Sequence, residues 1–462
     1  MKRLFGTDGI RGIAGTHPLD DATVERIGAA LVEILRRHGS TAPRVVIGRD
    51  TRESGPSLEE ALARGIVAAG GRVDRGGVLT TPAIACVTRL VGYDAGLVVS
   101  ASHNPYRDNG IKVFARSGEK LSDALEAEIE ALVLDGGGAA GGRPAGSSGA
   151  APPPGRDPAR GPDELAGRYL DWLIRAAGPA ATLKGRTILL DCANGAASVL
   201  APELFRRAGA TVLSIHDRPD GRNINEGCGA LHTETLATEV RARRADLGLA
   251  FDGDADRCLV VDATGRLLDG DYILYLAARD RKAAGTLRGN AVVGTVMSNL
   301  WLERALGSEG IRLLRAPVGD KYVLEEMQRG GHVLGGEPSG HIIFLEKATT
   351  GDGLLTGLLV LELLARTGLD LASWAATIQP CPQVIVNVPV RERPALDSHP
   401  RIGPAIKDEE RRLGGAGRLL VRYSGTEPKA RIMVEGEPRQ AVEQAAARLR
   451  TIIQDEIGQE TS

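Results

Sequence analysis

Three aspartates at alternate positions, Asp252, Asp254 and Asp256, give the strongest chemical signal in the sequence. They follow the apolar run 247–251, which is typical of a buried strand, and Arg257 comes directly after them. Carboxylates that converge at the end of a strand can bind one hard cation such as Mg²⁺, whereas a buried acidic cluster without a counter-ion would be costly. We therefore expect a metal site in this loop.

Two other interpretations of the acidic loop fit the sequence less well. A calcium loop of the EF-hand type needs glycine at its sixth position and glutamate at its twelfth, but these positions hold Arg257 and Ala263. A phosphatase that forms an aspartyl-phosphate would also place Asp-x-Asp after a strand, with Asp252 as the nucleophile. The additional carboxylate of Asp256 fits a metal site better.

The second candidate is Ser-Ala-Ser-His-Asn-Pro at 100–105, which follows the apolar run 96–99 and begins a polar turn that we expect to continue to Gly110. A hydroxyl and an imidazole on a loop held by a strand suit a nucleophile, although the same residue types form ordinary turns. If Ser102 carries phosphate, it can share a metal with three carboxylates. His103 and Lys112 are candidates for a base or an electrostatic stabiliser.

Two further polar loops contain residue types suited to a phosphorylated sugar. The glycine-rich turn predicted at 335–341 places a carboxylate, a hydroxyl and an imidazole together, which suits recognition of sugar hydroxyls. The segment 422–431 combines two guanidinium groups, two hydroxyls and glycine-exposed amides, which suits a dianionic phosphate. Each segment alone can also be a simple turn. With the metal loop, they predict a cleft between domains.

Strands that alternate with helices surround these loops. The segment 44–48 predicts a strand, followed by a helix over 57–69 and a second strand near Val73, and the same order recurs after 187–190 and 291–294. A unit seen three times predicts three related α/β domains with mixed, mostly parallel sheets. Ligands collect beyond the carboxyl ends of such strands, which is where the candidate loops lie.

Changes in composition predict the domain limits. We expect an α/β domain with the serine loop over 1–135, a Gly/Pro-rich linker or insertion over 136–162, an α/β domain with the metal loop over 163–262 and an α/β domain with the sugar loop over 263–375. The remainder, 376–462, is expected to be a smaller α+β domain with the order strand, helix, strand, strand, helix and with the phosphate loop. The domains are expected to surround a central cleft.

Composition argues against several classes of protein. The 462 residues are 42% hydrophobic and 25% charged, which is ordinary for a globular chain of three or four domains. Lys and Arg number 57 against 59 Asp and Glu, so no excess charge would attract nucleic acid or an anionic membrane. Five separated cysteines without a Cys-x-x-Cys pair, and no apolar segment like a signal peptide or membrane span, predict a cytoplasmic protein.

The motifs, in this order, resemble those of the α-D-phosphohexomutase family. The resemblance runs from residue 3 to about residue 455 and rests on the opening Thr7-Asp8-Gly9-Ile10-Arg11-Gly12 and on the loops at 100–105, 252–257, 335–341 and 422–431. It implies four domains around a cleft. It also implies a reaction that moves phosphate between carbons 1 and 6 of a hexose through a hexose 1,6-bisphosphate, which also acts as an activator.

Carried over residue by residue, the resemblance implies that Ser102 is a phosphoserine that donates and recovers phosphate. It implies one Mg²⁺ held by phosphorylated Ser102 with Asp252, Asp254 and Asp256. The resemblance assigns a transfer centre to Arg11, His103, Lys112 and Arg257. It assigns a sugar site to Asp320, Glu337, Ser339 and His341. It assigns a site for the substrate phosphate to Arg422, Ser424, Gly425, Thr426 and Arg431.

Within the family, the sequence most resembles the branch that acts on glucosamine phosphates, whose product feeds cell-wall precursor synthesis. The opening 3–12 and the segment 318–323 carry this resemblance. Mannose-specific members tend to have His at the position of Asp320, where a carboxylate could face an ammonium on carbon 2. Pro338 stands where that branch usually has Gln. The alternatives are a mannose or glucose phosphate substrate and, in another class, a non-catalytic sugar-phosphate sensor.

Overall fold

A computed structural model of the chain describes residues 4–6, 8–134, 161–178, 183–424 and 428–459. Within these ranges the chain forms three α/β domains and a C-terminal α+β domain, each built on one sheet. The linker or insertion predicted over 136–162 falls outside the described residues except for its last two positions. No helix within the described ranges has the length and apolar character needed to span a membrane.

The first domain has a mixed sheet of six strands in the order β1-β2-β6-β5-β3-β4. Strands β5, β3 and β4 are parallel, and the other pairings are antiparallel. Asp20 caps helix α1, because its side chain accepts a hydrogen bond from the Thr23 N–H at 3.0 Å. The elements are β1 (Phe5–Gly6), β2 (Gly9–Ile13), α1 (Asp21–Arg37), β3 (Arg44–Arg49), α2 (Gly55–Ala68), β4 (Arg72–Val78), α3 (Thr81–Val91), β5 (Ala95–Val99), β6 (Asp108–Ala115) and α4 (Asp123–Leu134).

The second and third domains contain sheets of five and four strands, in the orders β11-β10-β9-β7-β8 and β13-β12-β14-β15. The second domain contains α5 (Pro162–Ala177), β7 (Thr187–Asp191), α6 (Ala197–Arg207), β8 (Thr211–Ile215), α7 (Glu234–Arg243), β9 (Leu247–Phe251), β10 (Cys258–Asp262) and β11 (Leu267–Leu268). The third contains α8 (Gly270–Ala283), β12 (Ala291–Thr295), α9 (Leu300–Ser308), β13 (Arg312–Ala316), α10 (Asp320–Gly330), β14 (Leu334–Gly336), β15 (Ile342–Phe344), α11 (Gly353–Thr367) and α12 (Leu371–Ala376).

The C-terminal domain has an antiparallel sheet in the order β16-β18-β17. Its elements are β16 (Gln383–Pro389), α13 (Ile402–Leu413), β17 (Gly417–Tyr423), β18 (Lys429–Gly436) and α14 (Arg439–Ile457). The predicted order of strand, helix, strand, strand and helix is therefore confirmed.

The three α/β sheets repeat one connection pattern. In each sheet the first parallel strand (β3, β7 or β12) has the second and third parallel strands on its two sides, and the chain then turns back into an antiparallel strand (β6, β10 or β15). The loop before that antiparallel strand holds 100–107, 252–257 or 337–341. The predicted threefold repeat is confirmed, and it places the three candidate loops at equivalent positions.

Two predicted turns are shorter than the sequence indicated. The polar residues 108–110 belong to β6, and the glycines at 335 and 336 belong to β14. Residues 108–110 pair with β2, through Arg11 opposite Gly110 among others. These pairings depend on strands distant in the sequence, which local turn chemistry does not reveal.

One hydrophobic core joins the first three domains around α5. Leu165, Tyr169 and Leu173 on this helix belong to the same buried cluster as Ile84 of the first domain and Leu361 of the third. The C-terminal domain has a separate core between α14 and its sheet. The first three domains therefore pack as one body around the candidate loops.

Candidate active site

Ser102 lies between β5 and β6 with only 2% of its surface exposed. Its Oγ donates a hydrogen bond to Asp252 Oδ2 at 2.6 Å and lies 3.3 Å from His103 Nδ1. Its φ is 51°, in the left-handed region that residues other than glycine seldom adopt. Such a conformation persists only where the surroundings hold it. The fold therefore joins the loop at 100–107, the serine loop, to the loop at 252–257, the aspartate loop, although Ser102 and Asp252 are 150 positions apart.

The two serines of this loop have different surroundings. Ser100 Oγ donates to Asp50 Oδ2 at 2.7 Å and accepts from the Ser102 N–H at 2.9 Å. The Ser100 hydroxyl therefore holds the backbone of the loop. Ser102 lines the cleft described below, so its hydroxyl is the one that a substrate can reach.

Asp252, Asp254 and Asp256 each place one carboxylate oxygen within 4.8 Å of the others. The Oδ1 atoms of Asp254 and Asp256 are buried and have no hydrogen-bond partner among the residues that the structure describes. Buried carboxylate oxygens without donors are unfavourable, and a cation would satisfy them. The three residues therefore fit a divalent cation that prefers oxygen ligands.

Lys112 provides a buried positive charge at this cluster. Its Nζ lies 2.9, 3.2 and 3.4 Å from carboxylate oxygens of Asp254, Asp8 and Asp256. Burial alone would lower the pKa of the amine, but these carboxylates raise it well above its usual value. Burial would also raise the pKa of Asp254, but the charge and hydrogen bond of Lys112, together with the hydrogen bond from Thr81, lower it to about 2. Burial and then the neighbouring aspartates hold the pKa of Asp252 well above its usual value.

His103 and Arg257 lie on the cleft side of Ser102. Burial, reinforced by the charges of Arg257 and Arg11, lowers the pKa of His103 to about 4. The imidazole is therefore neutral at neutral pH and can accept a proton. Arg257 Nε lies 3.9 Å from Asp252 Oδ2. The two side chains place a proton acceptor and a permanent positive charge beside the hydroxyl.

An ion-pair network connects the N-terminal motif to the third domain. Arg11 Nη2 lies 2.6 Å from Asp8 Oδ2, and Arg11 Nη1 donates to the carbonyl oxygen of Ala101 at 3.2 Å. Lys120 Nζ lies 2.5 Å from Asp8 Oδ1 and 2.5 Å from Asp320 Oδ2. Lys120 was not singled out by the sequence, and it shows that the carboxylate of Asp320 already faces an ammonium group.

The predicted sugar loop lies between β14 and β15 and contributes to the same cleft. Glu337 Oε1 accepts a hydrogen bond from the Gly319 N–H at 3.0 Å, and Ser339 Oγ donates to Glu337 Oε2 at 3.4 Å. His341 is buried, and within the described residues neither of its ring nitrogens has a hydrogen-bond partner. Its Nε2 lies 3.8 Å from Asp320 Oδ2. Glu337 and His341 line the cleft and can receive hydroxyl groups there, whereas Ser339 does not line it.

The loops of the first three domains line a cleft of about 720 Å³. The first domain contributes the N-terminal motif and the serine loop, the second contributes Asp256 and Arg257, and the third contributes 318–322, Glu337 and His341. This volume is in the range of small-molecule sites, and most of these lining groups are charged or polar. The cleft therefore suits a small, polar and anionic ligand.

Arg422 and Arg431 face each other across strands β17 and β18. Directly opposed residues of an antiparallel pair have side chains on the same face, so two positive charges lie close together. Burial and then the charge of Arg431 lower the pKa of Arg422. An anion would relieve this repulsion. Ser424 is buried, Gly425 and Thr426 lie outside the described residues, and neither arginine nor Ser424 lines the cleft.

Two residues that the sequence analysis missed hold the serine loop. Arg52 Nη2 donates to the backbone oxygens of Ser102 and Asn104 at 2.9 and 2.8 Å. Asn225 Nδ2 donates to the same two oxygens at 2.9 and 3.1 Å. Arg52 follows the end of β3, which adjoins β5, and that position is the one signal that could have identified it. Asn225 lies in a segment without a periodic pattern.

A second group of possible metal ligands consists of Asp191, His216 and Cys228. Both carboxylate oxygens of Asp191 accept backbone N–H groups, from Ala193 and Gly229 at 3.0 Å. His216 Nδ1 also lies 3.0 Å from Asp191 Oδ2. Burial raises the pKa of the Cys228 thiol to about 12, which disfavours the thiolate that binds metals. We therefore assign this group to the support of its loops.

Models of one family match four consecutive segments of the chain. They are described as phosphoglucomutase/phosphomannomutase alpha/beta/alpha domain I at residues 2–137, domain II at 168–265, domain III at 269–381 and the C-terminal domain at 385–452. Each segment contains one of the four candidate loops.

Curated relatives match over nearly the whole length. A phosphoglucosamine mutase of Koribacter versatilis is 49% identical over 463 residues, which cover 99% of this chain and 98% of that protein. A phosphoglucosamine mutase of Anaeromyxobacter sp. is 48% identical over 435 residues, which cover 94% of this chain and 92% of that protein.

Solved structures share the fold. A phosphoglucomutase/phosphomannomutase family protein from Burkholderia thailandensis has a TM-score of 0.77 at 24% identity, covering 98% of this chain and 97% of that chain. N-acetylphosphoglucosamine mutase from Aspergillus fumigatus, in complex with GlcNAc-6P and magnesium, has a TM-score of 0.63 at 21% identity, covering 98% and 95%. The resemblance inferred from the motifs is confirmed. The chain belongs to the phosphoglucomutase/phosphomannomutase family.

Proposed function

We propose that the protein is a phosphoglucosamine mutase that interconverts glucosamine 6-phosphate and glucosamine 1-phosphate. The observation that carries the proposal is the 2.6 Å contact between Ser102 Oγ and Asp252 Oδ2, which joins a residue of the cleft wall to a cluster of three carboxylates. The relatives named phosphoglucosamine mutase support the amino-sugar substrate, because they match nearly the full chain at 48% and 49% identity.

The proposed reaction returns one phosphate to the protein. The 1-hydroxyl of glucosamine 6-phosphate attacks the phosphorus on Ser102, its oxygen forms the new P–O bond, the bond to Oγ breaks and the hydroxyl proton passes to a base. The resulting 1,6-bisphosphate then reorients, so that its 6-phosphate faces Ser102. Ser102 Oγ, which took up a proton when its phosphate left, gives that proton to a base and attacks the phosphorus at position 6. The bond between this phosphorus and the 6-oxygen breaks, and the 6-oxygen takes up a proton, which releases glucosamine 1-phosphate. Added hexose 1,6-bisphosphate acts as an activator because it can phosphorylate an unmodified Ser102.

The structure supports different roles for the charged residues near Ser102. His103 is the proposed proton carrier, because it is neutral and its Nδ1 lies 3.3 Å from Ser102 Oγ. Lys112 is proposed as an electrostatic stabiliser and not as a base, because its carboxylate neighbours raise the pKa of its amine. Arg11 and Arg257 supply permanent positive charge for the transferring phosphate.

One Mg²⁺ would be held by Asp252, Asp254 and Asp256 together with the phosphorylated form of Ser102. When bound, the ion would neutralise charge on the transferring phosphate. The two buried carboxylate oxygens without hydrogen-bond partners support this assignment.

The remaining predicted residues are proposed to bind the substrate. Asp320 would face the ammonium on carbon 2, and a second set would bind the sugar hydroxyls. The C-terminal domain would hold the phosphate that is not being transferred, and for this it would have to approach the cleft. The hydroxyl-binding set is Glu337, Ser339 and His341, and the phosphate-binding set is Arg422, Ser424, Gly425, Thr426 and Arg431.

One observation favours a neutral hexose phosphate as the alternative substrate. Asp320 already pairs with Lys120, so its charge is partly neutralised before an amino sugar arrives. A comparison of kcat/KM for glucosamine, glucose and mannose 6-phosphates separates the two functions. We expect a higher kcat/KM for glucosamine 6-phosphate. An equal or higher kcat/KM for mannose 6-phosphate would reject the assignment as a phosphoglucosamine mutase. Full activity of Ser102→Ala would reject the phosphoserine mechanism, whereas sugar phosphate binding without any turnover by the wild type would indicate a sensor.

We also propose that the protein acts in the cytoplasm on small hexosamine phosphates, as a monomer or homodimer and without nucleic acid or membrane partners. Its five cysteines are free and buried, and its acidic and basic residues nearly balance. The domain limits at 135, 162, 262 and 375 are part of this proposal.

A further inference from the structure

We propose that Arg52 and Asn225 are positioning residues that hold Ser102 for phosphate transfer, an inference that rests on the proposed function of Ser102. We call their hydrogen bonds to the backbone oxygens of Ser102 and Asn104 the carbonyl clamp. Each of these two oxygens accepts one bond from each side chain, at distances of 2.9, 2.8, 2.9 and 3.1 Å. A carbonyl oxygen has two lone pairs, so the carbonyl clamp fills both acceptor positions of both residues.

Arg52 is the part of the carbonyl clamp that the first domain supplies. Its side chain is fully buried, and its Nε donates to Asp50 Oδ2 at 2.9 Å. Its Nη1 donates to the backbone oxygens of Pro105 and, at 2.8 Å, of Asp108. A buried guanidinium is unfavourable unless it is paired and hydrogen-bonded. Here one carboxylate, three carbonyl oxygens of the serine loop and the carbonyl oxygen of Asp108, the first residue of β6, satisfy it.

Asn225 is the part of the carbonyl clamp that the second domain supplies. Its backbone N–H donates to the oxygen of Ala193 at 2.9 Å, and its φ is 59°. Gly253, in the aspartate loop, approaches the same point. A Cβ atom at position 253 would lie 2.5 Å from the Ser102 backbone oxygen and 2.8 Å from Asn225 Nδ2. The serine and aspartate loops therefore meet without room for a further methyl group.

The chemistry at Ser102 explains why its backbone needs such support. Each turnover adds and removes up to two negative charges on Oγ, beside three aspartates. These changes in repulsion would displace a loop that was held only by its hydroxyl. The carbonyl clamp acts on the backbone oxygens, so it leaves Oγ free while fixing its distance from Asp252. Neither Arg52 nor Asn225 lines the cleft, which is why we assign them a positioning role.

The test compares Asn225→Gly with Asn223→Gly in the full-length protein. Glycine accepts the left-handed backbone at position 225, so the variant removes the amide with little added strain. Asn223 lies in the same loop, but its amide donates to Arg218 and not to the serine loop. We expect Asn225→Gly to lower kcat about 10- to 100-fold with KM changed less than about twofold, and Asn223→Gly to change either value less than about twofold.

A second variant tests the donor directly. Asn225→Asp keeps the shape of the side chain but presents carboxylate oxygens to two carbonyl oxygens, so we expect kcat to fall at least as far as in Asn225→Gly. The inference is overturned if both Asn225 variants match Asn223→Gly, or if their loss of kcat disappears after correction for the folded fraction in melting curves. If the wild type shows neither mutase activity nor phosphate on Ser102, the proposed function itself fails.

Discussion

Lys112 Nζ lies 2.9 Å from Asp254 Oδ2, and the side chains are 2% and 0% exposed. This buried ammonium also contacts Asp256 and Asp8, although Asp8 pairs with Arg11 and Lys120 as well. Within the described part of the chain, the three aspartates of the loop face only two positive groups, Lys112 and Arg257, so a divalent cation can compensate the remaining negative charge.

Lys112→Met should make the protein depend on a divalent cation for its stability. Loss of the partner of a buried ion pair costs about 3–5 kcal/mol, and Mg²⁺ can supply part of the missing positive charge. In the presence of a chelator, we expect the Tm of the variant to lie well below that of the wild type. Added Mg²⁺ should raise the Tm of the variant more than that of the wild type. Lys407→Met, on the exposed surface of α13, is the control. Equal effects of Mg²⁺ on variant and wild type would contradict the account.

Asp254→Asn should weaken metal activation. The variant removes one of three carboxylates and leaves Lys112 in place, so the Mg²⁺ concentration needed for half-maximal activity should rise by about tenfold or more. A titration of activity with Mg²⁺ measures this, and Glu234→Gln, an exposed position on α7, provides a control. An unchanged titration curve for Asp254→Asn would rule out its role as a ligand.

His103 makes the stability of the metal-free, unphosphorylated protein depend on pH. The unfolded imidazole takes up a proton near pH 6.5, whereas the buried ring does so only at about pH 4. Its contribution to stability is therefore complete above about pH 6.5 and is lost as the pH falls towards 4. Urea unfolding should show a smaller loss of stability between pH 7 and pH 4.5 for His103→Gln than for wild type or His38→Gln, an exposed control. Equal losses of stability in all three proteins would contradict the lowered pKa of His103.

Asp320→Asn tests recognition of the amino group. A carboxylate binds an ammonium more strongly than an amide does, so kcat/KM for glucosamine 6-phosphate should fall about tenfold while that for glucose 6-phosphate changes less. Lys120→Gln should lower kcat/KM for both sugars, because Lys120 connects Asp8 of the first domain to Asp320 of the third beside the cleft. Equal losses with both sugars in Asp320→Asn would remove Asp320 from the specificity site.

Most of the fold could be predicted because its elements have strong local signals. The apolar runs before residues 50, 191 and 295 mark strands that the structure contains. The antiparallel strands that close each repeat have weaker signals. Strand β6 begins with Asp108-Asn109-Gly110, which resembles a turn, and forms because β2 and β5 pair with it on either side.

The candidate site could be predicted in its residue types but not in its pairings. Ser102 and the three aspartates stand out because hydroxyl and carboxylate groups follow buried strands. Arg52 and Asn225 do not stand out, because they bind backbone oxygens, which every residue has. The pairing of Lys120 with Asp320 depends on the approach of two domains and has no local signal.

The proposed reaction depends on transfer of phosphate to and from Ser102. The most direct measurement is peptide mass spectrometry of the protein after incubation with hexose 1,6-bisphosphate and Mg²⁺, before and after excess glucosamine 6-phosphate. We expect one phosphate on the peptide that contains Ser102, assigned by fragmentation to Ser102 and not Ser100, absent in Ser102→Ala, and exchanged with the sugar during turnover. Mutase activity from a protein without phosphate on Ser102 at any stage would exclude Ser102 as the carrier of the phosphate.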